Sequence, residues 1–265
     1  MKEGVAIFTQ PKTGIKCGGA PQKIMWLAED YWRNQTNCRS KVEVEFVTGM
    51  PTMFPVPKYS ETLDAMRGPR QVGASFQHDL VEVDGKNKVA TFELPDGKRV
   101  KKKFDFLHVV PKMGPHPCIK ASPLADKATG FVTVDPGTLQ HTSFSNVFGI
   151  GDCTNLPTSK TAAAITGQAP VLVHNLVQVM DGKEPTARYN GYTSCPILTK
   201  RGGLILAEFK YDGELEETFG GVVDQSQERL AFYYLKTKFF PWAYWNLLIT
   251  GRWFGPKGVF EPRFD

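Results

Sequence analysis

The chain has 265 residues, 41% hydrophobic and 22% charged, enough for one or two domains with a proper core. A net charge of +5 suits an anionic membrane surface or an anionic cofactor and is too small to argue for nucleic acid; no basic stripe with interleaved stacking aromatics occurs. An odd count of five cysteines argues against a disulfide-stapled secreted domain, residues 1–7 do not read as a signal or transit segment, and no apolar run reaches the ~18 residues that span a bilayer.

In chain order, residues 5–8 predict a strand leading through Pro11 and Gly14 to Cys17. Apolar side chains at Ile24, Met25, Leu27, Ala28 and Tyr31 predict a helix from Gln22 to about Arg33. Alternation over residues 42–46 predicts the next strand, so the opening third reads as a βαβ unit of nucleotide-binding type. The Gly-x-Gly-x-x-Gly turn of such units is absent from it and from the whole sequence; Cys17-Gly-Gly-Ala-Pro stands in its place. Prolines 51, 55 and 57 make residues 50–58 irregular, and a helix over 59–66 is expected to stop early at Gly68-Pro69. Asp84-Gly85 predicts a hairpin between residues 80–83 and 88–94. Residues 99–103 read as a solvated, lysine-rich strand, 104–110 as a short apolar strand and 111–117 as a loop.

The stretch around Asp152 organises the remainder. Val147, Phe148 and Ile150 predict a short buried strand ending in a Gly151-Asp152 turn. Thr158 or Ser159 is expected to cap the following helix, which opens on Ala162, Ala163 and Ala164. Pro170 is expected to interrupt or kink the segment running to Met180, and Asp181-Gly182 ends it. A strand, a Gly-Asp turn and a small-residue helix form a seat for a cofactor, because the helix start offers N–H groups and partial positive charge to an anion. Beyond it, Asp212-Gly213 predicts a hairpin of residues 204–211 with 215–219. Residues 227–254 hold ten aromatic side chains among Lys236, Lys238 and Arg252, and Pro241 is expected to split them into two short helices. Such a segment suits a lipid interface; an aromatic core or a dimer contact is the other reading.

Val147-Phe-Gly-Ile-Gly-Asp152 resembles the second flavin fingerprint of two-dinucleotide-domain flavoproteins, in which the Asp binds the ribityl chain of FAD. The extension Cys153-Thr-Asn-Leu-Pro-Thr-Ser-Lys160-Thr-Ala-Ala-Ala164 is more specific. With Phe8-Thr-Gln-Pro11, Lys16-Cys17-Gly-Gly-Ala-Pro-Gln-Lys-Ile-Met25 and Tyr189-Asn-Gly-Tyr-Thr-Ser-Cys195-Pro196, it resembles the mitochondrial-type sulfide:quinone oxidoreductases from about residue 4 to 255. The resemblance implies an α/β, two-dinucleotide-binding-domain flavoprotein fold present in part, with its N-terminal FAD-binding segment missing. Its parts would be a nucleotide-type domain over residues 1–135, the C-terminal portion of an FAD-binding domain over 136–188, and a C-terminal region over 189–265 with an amphipathic membrane-binding tail at 227–254.

The resemblance also implies roles. Cys17 and Cys195 would be the catalytic pair, although by position alone they read more readily as buried structural cysteines. Lys16, beside Cys17, would favour its thiolate if it points the same way. FAD would be held by Ile150, Gly151, Asp152 and Lys160, the lysine stabilising reduced flavin rather than lying idle on the surface. Cys153 reads as a small residue filling tight space, and Cys38 and Cys118 as incidental; no metal site follows from the five histidines. Implied partners are sulfide, ubiquinone, and a small thiol or sulfite as sulfur acceptor, at the mitochondrial inner membrane as a peripheral protein. Two rivals stand beside this: a type II NADH:quinone reductase, which needs the missing glycine turn, and a truncated, inactive product that does not hold FAD.

Overall fold

Ala6, Ile7 and Phe8 have no exposed surface, as expected of a strand covered on both faces of a parallel sheet. They form the centre of β1 (Gly4–Gln10) in a computed structural model that describes residues 1–264. The chain divides into two compact units, the first comprising Met1–Met113, Pro196–Ile205 and Ser226–Tyr233. In it β1 is followed by α1 (Ala20–Asn34) and by β2 (Val42–Thr48), which lies parallel to β1 from Gly4↔Val42 to Gln10↔Thr48. The βαβ reading therefore holds. Next come α2 (Pro57–Arg70) and β3 (Val72–Ser75), parallel to β2.

An antiparallel meander follows: β4 (Asp79–Asp84), β5 (Val89–Glu93) and β6 (Arg99–Lys103), with the expected turn at Asp84-Gly85. Its Ala90 and Phe92 pack on Ile7 and Val47 of the parallel sheet. The chain then returns as β7 (Phe106–His108) beside β1, giving the order β3-β2-β1-β7. That is the order of a dinucleotide-type half-sheet.

Helix α2 does not stop at Gly68-Pro69. Pro69 is accommodated inside the helix, which closes at Gln71, whose left-handed φ of +56° returns its N–H to the carbonyls of Arg67 and Gly68. The end is held by cations: Arg39 donates to the carbonyls of Arg70 and Gln71, each at 2.7 Å, and is itself paired with buried Glu29 at 3.1 Å.

The second unit comprises Gly114–Cys195, Leu206–Gln225 and Tyr234–Asp265. After a short α3 (Pro117–Lys120) the chain is mostly irregular up to α4 (Ala162–Met180), with isolated bridges at Val132, Val134 and Phe148. The buried strand expected at residues 147–150 is not formed. Val147 and Phe148 are half-buried, and the local pairing lasts only for His141 N–H to Val147 O and Gly149 N–H to Leu139 O before Gly149 and Gly151 turn away. A core of Val132, Val134, Leu139, Leu156 and Val171 lies beneath. Helix α4 runs through Pro170 without a break.

Two further expectations change. The hairpin partner of β9 (Gly203–Phe209) is the preceding β8 (Thr193–Lys200), joined across Arg201 and Gly202, the latter at φ +83°. Residues 215–219 keep one bridge, Phe209↔Leu215, because Thr218 turns its N–H and hydroxyl onto the Glu208 carboxylate instead of the ladder. Nor does Pro241 split the aromatic stretch. The helical turns pass from α5 (Leu230–Tyr234) through a π turn (Leu235–Phe239) to α6 (Phe240–Ala243) and a second π turn (Tyr244–Leu248), and Pro241 sits in the first turn of α6, where the π register leaves its missing N–H unneeded.

Candidate functional site

In the second unit, the Gly-Asp turn and the mouth of α4 meet. Gly151–Cys153 is a single 3₁₀ turn, and Gly151 has φ +69°. Its N–H donates to Oε1 of buried Gln168, one and a half turns into α4, at 2.8 Å. A side chain at Gly149 would lie 3.0 Å from Thr154 Cγ2 and 3.1 Å from Val134 Cγ1, tight enough to make its neighbours shift. Cys153 is half-buried and donates from Sγ to the carbonyl of Ile150 at 3.2 Å.

The helix cap is neither Thr158 nor Ser159. Thr161 caps α4, its Oγ1 accepting from the N–H of Ala164 at 3.0 Å. Lys160 therefore precedes the cap instead of lying in the first turn. Its ammonium lies 4.4 Å from the Phe131 ring centroid and donates to the Thr154 carbonyl. Gly151, Thr158, Ser159, Lys160, Thr161 and Gln168 line a small recess at this point.

Strand β8 is fastened to the same mouth. Thr193 Oγ1 lies 2.8 Å from Thr161 Oγ1 and donates to the Ser159 carbonyl at 3.2 Å; the separate bond from Thr158 to the Gly191 carbonyl, at 2.8 Å, lies ahead of the strand. Cys195, two residues along and on the same strand face as Thr193, has no exposed surface. The structure thus gathers Ile150, Gly151, Asp152, Lys160 and the strand of Cys195 within the second unit.

Cys17 belongs to the first unit. It is half-buried, adopts a left-handed φ of +57°, and accepts Ala20 N–H on its carbonyl just ahead of α1. Sequence reasoning looked to Lys16 as its cationic neighbour. The lysine that reaches it is Lys23, whose Nζ lies 3.3 Å from Sγ. The first turn of α1 brings residue 23 back over residue 17, so a cation just inside a helix that starts after a thiol was the available signal. An ammonium and a helix start both favour the thiolate form of a cysteine.

The aromatic stretch has Trp242, Tyr244 and Trp245 exposed, the last at 67%. Among the described residues no helix is long and apolar enough to cross a membrane, and no group of His, Cys, Asp and Glu side chains gathers as metal ligands.

The fold is α/β, with the order of a dinucleotide-type half-sheet in its first unit. Superposed on the sulfide:quinone oxidoreductase of Aquifex aeolicus, the fold gives a TM-score of 0.71 over 93% of this chain and 59% of that one, at 15% identity. A chain of the Tetrahymena thermophila mitochondrial ATP synthase has the same fold, TM-score 0.77 over 97% of this chain and 62% of that one, at 20% identity. No family model matches. In sequence, the chain is homologous along nearly its whole length to mitochondrial sulfide:quinone oxidoreductases. It is 55% identical to that of Dictyostelium discoideum over 99% of this chain and 57% of the relative, and 53% identical to that of Schizosaccharomyces pombe over 99% and 58%. It spans a little more than half the length of these curated relatives.

Proposed function

We propose that this chain forms the sulfide-oxidising part of a mitochondrial sulfide:quinone oxidoreductase, with Cys17 and Cys195 as the redox pair. The observation that carries this is 53–55% identity to such enzymes over the whole chain, joined to a turn that sets Lys23 against the Cys17 sulfur.

The chemistry available to the two cysteines is thiol–disulfide exchange. Hydrosulfide attacks one sulfur of a Cys17–Cys195 disulfide; the S–S bond breaks, leaving a persulfide on one cysteine and a thiolate on the other. A small thiolate or sulfite then takes the outer sulfur, leaving two thiolates. Closing the disulfide again releases two electrons. Lys23 stabilises the anionic sulfur at Cys17, while buried Cys195 keeps water from its persulfide or thiolate.

The mouth of α4 offers part of an FAD three suitable groups around one small recess: a lysine ammonium, a helix start and a glycine turn. Ile150, Gly151, Asp152 and Lys160 would hold it there, the Asp152 carboxylate on the ribityl hydroxyls. Bound FAD supplies the two-electron acceptor that passes the pair to ubiquinone. Exposed Trp242 and Trp245 with Lys236, Lys238 and Arg252 in residues 227–254 suit a peripheral membrane contact from which such a lipophilic acceptor would come.

The test is a flavin absorbance spectrum of the purified chain with added FAD, then with sulfide and no quinone. Stoichiometric flavin that bleaches with sulfide is expected, and Cys17→Ser or Cys195→Ser should abolish the bleaching. Bound flavin that bleaches unchanged in both variants would overturn the assignment of the pair; no bound flavin would overturn the chain's own activity.

A further inference from the structure

Thr193 has no exposed surface, and its hydroxyl is one link in a chain of three hydrogen bonds. Ala164 N–H donates to Thr161 Oγ1 at 3.0 Å; Thr161 and Thr193 hydroxyls lie 2.8 Å apart; Thr193 Oγ1 reaches the Ser159 carbonyl at 3.2 Å. One arrangement of protons makes all three bonds. Thr161 accepts from Ala164 and donates to Thr193, and Thr193 donates to Ser159. The cap of α4 and the first residue of β8 therefore share a single buried hydrogen-bond chain. Thr161 cannot be uncapped without leaving Thr193 unsatisfied, and the reverse holds too.

We infer that Thr193 is a positioning residue for Cys195: its hydroxyl locks the start of β8 to the N-terminal cap of α4, so that the Cys195 sulfur stays buried and fixed relative to the Lys160 turn. This rests on the reading of Cys195 and the α4 mouth as parts of one redox site. Thr158 and its bond to Gly191 lie next door yet do not touch the cap, which makes that residue the natural control. Valine at 193 would keep the shape and β-propensity of threonine while removing its donor and acceptor; serine would keep both.

The experiment uses the 265-residue chain without cofactor, so it does not depend on flavin binding. The rate at which each cysteine reacts with methyl methanethiosulfonate is followed by peptide mass spectrometry, well below the unfolding temperature. Thr193→Val is expected to speed the labelling of Cys195 at least tenfold, with Cys17 and Cys153 changed less than twofold. Thr193→Ser should restore the slow rate and Thr158→Val should leave it unaltered. A Cys195 rate within twofold of the parent in Thr193→Val overturns the proposal, as does equal acceleration at every cysteine in a folded variant. Should Thr193→Val not fold, hydrogen exchange on the parent chain decides. The amides of Ala164 and Cys195 are expected to open together with equal protection, and independent opening overturns the proposal. Failure of sulfide to bleach flavin would defeat the redox reading alone, leaving these rates unaffected.

Discussion

The two units are held by different kinds of bond. In the first, backbone ladders carry the structure: β1, β2, β3 and β7 run parallel, and the meander lays Phe92 and Ala90 onto Ile7 and Val47. In the second, long irregular stretches are tied by single side chains. Asn175, fully buried in α4, donates to the carbonyls of Thr138 and Ala187 and accepts the N–H of Ala187. Asp126 and Asp135 repeat one device nine residues apart. Oδ1 of Asp126 takes the N–H of Ala128 and both the N–H and hydroxyl of Thr129; Oδ1 of Asp135 takes Gly137 N–H and both groups of Thr138. A sheet spreads its strength over many equivalent bonds, whereas this fabric concentrates it in a few irreplaceable ones.

That contrast can be broken in three ways. The largest effect is expected in the first unit: Phe92→Ala empties a site with no exposed surface and should cost about 4 kcal/mol in urea unfolding. A loss under about 1 kcal/mol would mean that the meander does not depend on its core contact. In the second unit, Asn175→Leu keeps the volume but orphans three backbone groups, for a loss of about 3 kcal/mol. Hydrogen exchange should place the damage around Thr138 and Ala187; protection unchanged there would sink the single-tie account. The smallest effect is on pH dependence. The Thr138 N–H bond, against the pull of burial and with help from the Thr138 hydroxyl, holds Asp135 below the usual carboxylate range. A lowered folded value means its stabilisation is present above about pH 4 and is lost as pH falls through that lowered value. Asp135→Asn should therefore show a shallower acid decline in melting temperature below pH 4, and identical acid limbs would refute it.

The same contrast explains what the sequence disclosed. Alternation and glycine turns marked β1, α1, β2 and the β4–β5 hairpin because there the backbone pattern is the structure. The β8–β9 hairpin was hidden, since Asp212-Gly213 is the louder turn signal beside Arg201-Gly202. The cap of α4 had three closely spaced hydroxyls to draw on, at 158, 159 and 161, with no local reason to choose. The choice falls to Thr193, more than thirty residues away. Lys23 was missed because its approach to Cys17 depends on the helix beginning at Ala20. The Asp-x-x-Thr repeat at 126 and 135 was legible in principle as two side-chain turns.

The close approach of Gly255 to α4 has a consequence for the aromatic stretch. Gly255 takes φ +60°, and any side chain there would lie 3.2 Å from the Gly167 Cα and 3.4 Å from the Tyr192 ring. The C-terminal end of residues 234–254 is thus held against α4. Much of the freedom that a loose segment would surrender on meeting a surface is already given up. The exposed rings of Trp242, Tyr244 and Trp245 thus stand on a segment anchored at its C-terminal end, and a bulkier residue at Gly255 would push that anchor off α4.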